Sequence, residues 1–222
     1  MKLRTKIILA ATAAVVVFLA VYSALFVPFG PSSGPPIEAT GIERTALLVL
    51  DMQVDFLSPR GRLPVDQTQV KPMIDLANRL ATDPGDRFDI DPVYIANAFS
   101  SFDFIGNLAR NHAAVEGSND ARLDPRLELV GDTVFHKQLP DAFSNEQLDA
   151  YLRAERITKL VVVGVFADQC VRSTVQAALN RGYEVAVVQD GVAAATAADR
   201  EQAYADLVDD GAKIVKAGRF VE

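Results

Sequence analysis

The sequence predicts an α/β fold: an open, mainly parallel sheet whose strands alternate with helices, preceded by one N-terminal transmembrane helix. Three observations lead there. Short runs that are apolar at nearly every position recur along the chain, which suits strands covered on both faces. Segments with apolar residues three and four positions apart lie between them, and such alternation implies right-handed crossovers within one sheet. Ahead of both stands a long uncharged stretch with no polar face.

That first stretch divides the chain. Lys2, Arg4 and Lys6 form a basic flank over residues 1–6. Ile7 to Val27 follows, 21 residues without a charge, with Thr12, Tyr22 and Ser23 as its polar members. As a helix it spans roughly 30 Å, the thickness of a bilayer's hydrocarbon core. A cleavable signal peptide has a shorter apolar core and a small-x-small site. Residues 7–27 are therefore expected to be an anchor, with secretion after cleavage as the alternative. The basic flank stays cytoplasmic, which places the rest of the chain across the membrane. Residues 28–37 begin PFGPSSGPP, rich in Pro, Gly and Ser, and read as a tether. Residues 38–222 suffice for one domain with a real core.

Within the domain, Thr45–Leu50 (TALLVL) is a strand ending at Asp51. Val70, Ile74, Ala77 and Leu80 mark a helix, and Pro92 to Ala98 and Thr133 to Phe135 are weaker strands. Ser144 with Gln147 gives a capping-box signature before a helix at Leu148, Tyr151 and Leu152. Lys159 to Val165 (KLVVVGV) is the strongest strand. The helix after it carries Val171, Val175, Ala178 and Leu179, and stops at Arg181-Gly182. Glu184 to Gln189 and Ala212 to Val215 are strands flanking a last helix through Ala203, Leu207 and Val208. Asp83 to Asp91 is an acidic loop, and Phe99 to Gly131 shows no clear period. The net charge of −7 includes the basic flank, so the domain is more acidic still. No basic stripe is available for nucleic acid.

In open α/β sheets, sites form beyond the carboxyl ends of the strands. Asp51, Lys137 and Cys170 each follow a strand end. Cys170 is the lone cysteine, so neither an intramolecular disulfide nor a multi-thiolate metal site can form. At a strand-to-helix turn its thiol meets a helix N-terminus, which favours the thiolate and offers N–H groups to an oxyanion. A lysine nearby favours ionisation further, and a desolvated carboxylate suits proton transfer. Each residue alone has a plainer reading: a buried apolar thiol, a solvated lysine, a capping aspartate.

Three motifs taken together are more specific. Leu48-Val49-Leu50-Asp51-Met52-Gln53-Val54-Asp55-Phe56, Lys137 with Ala142-Phe143, and Gly164-Val165-Phe166-Ala167-Asp168-Gln169-Cys170-Val171 resemble, in order, the motifs of the isochorismatase-like hydrolases, in the cysteine amidohydrolase branch. Ala167 stands where threonine is more usual. The resemblance spans about Arg44 to Val215 and implies a three-layer α/β/α fold. It also implies a catalytic triad of Asp51, Lys137 and Cys170, a cis peptide between Val165 and Phe166, and an oxyanion hole from the backbone N–H groups of Phe166 and Cys170. The implied activity is hydrolysis of a C–N bond in a small amide, ureido or imide-like compound through a thioester.

Nicotinamidases of that family add zinc on an Asp-x-His pair near the second strand. Tyr94 to Asp103 here holds no histidine, and His112 and His136 are the chain's only two. No metal and no cofactor are expected, and nicotinamide becomes a less favoured substrate. Phe56, Phe99, Phe143 and Phe166 flank the triad in sequence and are candidates for the substrate pocket, although aromatics in such places are more often core; Phe166 is the one expected to touch substrate. Two other readings remain open: vinyl-ether hydrolysis of the isochorismate kind, which needs no thiol, and an anchored domain whose thiol senses oxidants or binds a partner. The resemblance also suggests a homo-oligomer.

Overall fold

The computed structural model describes residues 2–26, 30–38, 41, 43–83, 87–216 and 218. The chain forms two compact units, Met1–Gly30 and Pro31–Glu222. The first unit contains helix α1 (Lys2–Phe26). Its described side chains are Ile8 and those of residues 11–23, nearly all exposed. Among the described residues no helix is long and apolar enough to cross a membrane, so the structure does not support the expected transmembrane helix.

The second unit is built on six parallel strands in the order β3-β2-β1-β4-β5-β6. They are β1 (Thr45–Leu50), β2 (Val93–Asn97), β3 (Val134–Lys137), β4 (Lys159–Val165), β5 (Glu184–Ala193) and β6 (Lys213–Val215). Every strand expected from sequence is present. β5 runs further than its apolar core suggests, past a register shift against β4 between Val162 and Gly164.

Alternation in β1 shows how the continuous apolar runs are used. Ala46, Leu48 and Leu50 enter one buried cluster, while Leu47 and Val49 enter the other. Helix α3 (Gln67–Thr82) covers the second face with Val70, Met73, Ile74, Ala77 and Leu80. Helices α5 (Glu146–Ala154), α6 (Arg172–Leu179) and α7 (Ala197–Asp209) cover the first. This makes the three layers. Burying each leucine stabilises the fold by about 1.5–3 kcal/mol, so polar side chains left inside need a specific reason. Short helices α2 (Val54–Leu57) and α4 (Phe104–Ala109) complete the unit.

The start of α5 differs from the capping box expected at Ser144. Asn145 is the N-cap and accepts from the Gln147 N–H at 2.9 Å. The Ser144 hydroxyl instead donates to the Asp141 carbonyl, closing a 3₁₀ turn over Ala142–Ser144.

A larger difference concerns the expected tether. From Ser32 onward this segment is docked on the domain. The Ser32 N–H donates to Asp141 Oδ2 at 2.9 Å, and Arg181 Nη1 donates to the Ser32 carbonyl at 3.1 Å. The Ile37 N–H donates to the Arg181 carbonyl at 2.8 Å, and Arg153 reaches the carbonyls of Pro35 and Pro36. A Cβ on Gly34 would stand 2.9 Å from Arg181 Nε, so any larger residue would make the guanidinium shift. Arg181 is 4% exposed, and buried cations need such acceptors. A chain starting at Glu38 is therefore expected to unfold in urea with a stability about 1–2 kcal/mol below one starting at Pro31. That is the value of several hydrogen bonds after the cost of ordering the strap. Equal midpoints and slopes would show that the strap rests on the domain without stabilising it.

Candidate active site

The strand order reverses direction between β1 and β4, the position at which open α/β sheets bind ligands. Asp51 leaves β1 there with φ 54°, in the left-handed region that aspartate tolerates better than most residues. Its N–H still donates to the Ile95 carbonyl at 2.8 Å, and its carbonyl accepts from Gln53 at 2.8 Å, so the chain turns sharply while anchored on both sides. Gly164, opposite Leu50 in β4, has φ 130°; a Cβ there would stand 2.0 Å from the Leu50 carbonyl oxygen. Only glycine lets the two strands meet at this point. The Val165-Phe166 peptide is cis, as the sequence resemblance implies.

Asp51, Lys137 and Cys170 come together. Their exposures are 0%, 2% and 6%. Lys137 Nζ lies 2.9 Å from Asp51 Oδ2. The Cys170 thiol and the Asn97 amide also face the Asp51 carboxylate, so the thiol proton has an acceptor beside it. Burial raises the Asp51 pKa above 3.8, and the Lys137 charge offsets this only in part. For Lys137, burial works against the ammonium, but Asp51 and Cys170 outweigh it and hold the pKa above 10.5. The carboxyl group is thus primed to take a proton, beside a cation that stays charged.

Cys170 departs from the sequence expectation of a thiolate. It sits in a π-helical turn (Ala167–Val171) leading into α6. Burial pushes its pKa up to about 12, with Lys137 pulling the other way. A helix N-terminus contributes tenths of a kcal/mol to about two, less than removing a thiolate from water costs. The resting sulfur is protonated, and its activation needs a base.

Two residues that sequence reading misses complete the cluster. Asn97, 1% exposed at the end of β2, accepts from Lys137 Nζ at 2.6 Å and donates from Nδ2 toward the Cys170 sulfur at 3.8 Å. Gln53 holds Asn97: its Oε1 accepts from the Asn97 N–H and its Nε2 donates to the Asn97 carbonyl, both at 2.8 Å. The Gln53 amide thus extends the β1–β2 ladder by one rung after β1 has turned away. The only signal in the sequence is position, since Asn97 ends a strand as Lys137 does.

The four candidate pocket phenylalanines separate. Phe56 and Phe166 meet edge to face at 5.4 Å, and Phe99 belongs to the same cluster with Arg110 stacked 3.8 Å from its ring centre. Phe143 lies on the other face of the sheet, between Arg181 at 4.7 Å and Tyr183 at 5.7 Å. It is core, because the 3₁₀ turn after Lys137 carries it away from the β1–β4 crevice. His112 and His136 are exposed and outside the cluster. Among the described residues, no three His, Cys, Asp or Glu side chains gather as a metal ligand set.

The Phe99–Gly131 region is held by buried polar contacts. Asp55, fully buried, accepts from the Ala114 N–H at 2.8 Å and from the Arg62 N–H at 3.3 Å. Phe99 in turn pairs with Val115, and its N–H donates to the Ala114 carbonyl. The second aspartate of the first motif therefore braces the loop that seats Phe99.

Comparison with known proteins identifies the family of this fold. Residues 45–218 match the isochorismatase domain family. An uncharacterized isochorismatase family protein of Bacillus subtilis is 31% identical over 162 residues, 68% of this chain and 79% of that one. A nicotinamidase of Escherichia coli is 35% identical over a shorter span, 41% of this chain and 49% of that one. The structure of N-carbamoylsarcosine amidase from Thermoplasma acidophilum superposes with a TM-score of 0.65 at 27% identity, covering 78% of this chain and 96% of that one. The match spans the whole sheet and its flanking helices, and the chain belongs to the isochorismatase family of hydrolases.

Proposed function

We propose that this protein is a cysteine hydrolase that cleaves the C–N bond of a small amide, ureido or imide-like compound, with Asp51, Lys137 and Cys170 as its catalytic triad. The observation that carries the reading is the buried Lys137–Asp51 pair at 2.9 Å beside the chain's single thiol. Asp51 takes the thiol proton as sulfur attacks the carbonyl carbon, and Lys137 supplies the positive charge that the developing thiolate needs. Backbone N–H groups of Phe166 and Cys170 receive the oxyanion. Asp51 then gives its proton to the leaving nitrogen, and ammonia or an amine departs. Water, deprotonated by the same carboxylate, cleaves the thioester and restores the thiol.

Phe166, four residues before the nucleophile and edge to face with Phe56, is the aromatic side chain that meets the substrate body. The raised thiol pKa counts against an oxidant sensor, since oxidation follows thiolate character. Vinyl-ether hydrolysis leaves the thiol without a role. For the N-terminal segment we infer membrane targeting, as anchor or cleaved signal, from the uncharged run of residues 7–27 behind three basic residues. Its check is whether the chain sediments with membranes after alkaline extraction and which residue begins the mature protein.

The activity is tested by ammonia release from a panel of small primary amides, ureido acids and cyclic imides, using the full chain and Cys170→Ala. Release by the native chain that disappears in the variant is the expected result. Release that persists in Cys170→Ala would remove the thiol from the mechanism.

A further inference from the structure

We propose that Asn97 is a fourth member of the catalytic machinery, donating a hydrogen bond from Nδ2 to the Cys170 sulfur as it ionises while its Oδ1 holds the Lys137 ammonium. This deepens the amidohydrolase reading and rests on it. The orientation of the amide follows from chemistry. An ammonium has only donors, so the atom 2.6 Å from Lys137 Nζ is the oxygen, and the nitrogen must face the sulfur at 3.8 Å. A buried N–H aimed at sulfur gains little from a thiol and much from a thiolate, because bonds to charged acceptors are the stronger ones. Asn97 thus favours the state that exists after proton transfer, and catalysis gains from contacts of that kind.

The Asn97 amide faces all three triad side chains, and it favours the ionised form of Asp51 as well as that of Cys170. Both backbone polar groups of Asn97 are taken by the Gln53 amide at 2.8 Å, and the residue is 1% exposed. Lys137 Nζ is shared among Asn97 Oδ1, Asp51 Oδ2 and the Leu139 carbonyl at 3.2 Å. Asn97 links the cation to the nucleophile through one planar amide, fixing the distance between them. It does this without adding a charge that would compete with Asp51 for the thiol proton. Asn97 Nδ2 also helps to lower the thiol pKa against the burial that raises it.

The test reads the sulfur directly. Alkylation of Cys170 by iodoacetamide is followed at pH 8 and pH 9 in the full chain, in Asn97→Asp and in Asn97→Ala. Well below the thiol pKa, the rate is proportional to the thiolate fraction, so a tenfold slower rate reports a tenfold smaller fraction. Asn97→Asp is the decisive variant, since it keeps the shape and the acceptor for Lys137 but replaces the donor with a carboxylate. It is expected to alkylate at least a hundredfold more slowly than the native chain. Asn97→Ala is expected to slow about tenfold, a loss understated by the space it opens beside the sulfur. Native alkylation rates in Asn97→Asp, with an unchanged unfolding midpoint, would overturn the proposal and leave Asn97 as an anchor for Lys137 alone. If Asn97→Asp does not fold, native rates in Asn97→Ala overturn it. Because alkylation needs no substrate, the result decides the role of Asn97 even if no amide in the panel is turned over. Where one is, kcat is expected to fall with KM little changed.

Discussion

Asp51→Asn is expected to lower kcat/KM on the amide substrate about 10⁴-fold, at the upper end of what general acid–base catalysis supplies. The size follows from the sulfur. With its pKa pushed up to about 12, chiefly by burial, the thiol is overwhelmingly protonated at pH 8 and attacks only as a base takes its proton. Asparagine has nearly the shape of aspartate but accepts no proton, and the same proton is needed later by the leaving nitrogen. The pH profile should change form as well. In the native chain, activity is lost as pH falls through the pKa of Asp51, since the protonated carboxyl cannot take the thiol proton. Burial places that limb above the ordinary 3.8. In Asp51→Asn the limb should vanish and the residual rate climb about tenfold per pH unit, tracking thiol ionisation. A variant that keeps a tenth of native activity, or the same acid limb, would exclude Asp51 as the base.

The sheet and the three titratable residues are legible in the sequence for one physical reason. Strands covered on both faces are apolar throughout, so β1 and β4 stand out, and the first charged residue past each end is conspicuous. Asp51 announces itself this way, while Lys137 ends the weaker strand β3 and stands out by its charge alone. Asn97 ends a strand in the same manner, but a neutral amide carries no electrostatic signature, and its value appears only when Lys137 and Cys170 meet it in space. The same holds for Gln53, which looks like any turn glutamine until its amide is seen forming a rung of the sheet.

Burial misleads in two places. The local position of the thiol at the head of α6 suggests a thiolate, but the surrounding layers exclude water more strongly than one helix end attracts charge. Composition suggests a tether, since Pro, Gly and Ser bury little. Here backbone carbonyls do the docking, on Arg153 and Arg181, and composition says nothing of carbonyls. The Phe99–Gly131 segment has no period because it is organised by single contacts such as Asp55 to Ala114 and Asn111 Nδ2 to the Arg62 carbonyl at 2.8 Å. Nearness to Lys137 in sequence groups Phe143 with the site, yet six residues suffice for the chain to cross to the other face of the sheet.

Lys137→Met tests the electrostatic half of the cluster and is expected to cost about 3–5 kcal/mol at pH 8, along with most of the activity. Methionine fills similar space, so the loss is one of charge. Asp51 is left fully buried without its counter-ion, and removing one member of a buried pair is far more costly than removing both. Two opposite trends with pH follow. In the native chain the folded pKa of Lys137 is raised, so its stabilising contribution is complete below about 10.5 and disappears as pH rises through the folded value. The variant lacks that alkaline loss. The folded pKa of Asp51 is also raised, so its effect on stability is most favourable below 3.8 and worsens as pH climbs to the folded value. Without Lys137 that value rises further, and the variant should regain stability on acidification from pH 8 to pH 5 more steeply than the native chain. Urea midpoints at several pH values give both slopes. Parallel curves for the two proteins would mean that the Lys137–Asp51 contact carries no net charge interaction, and Lys137 would lose its place beside the thiolate.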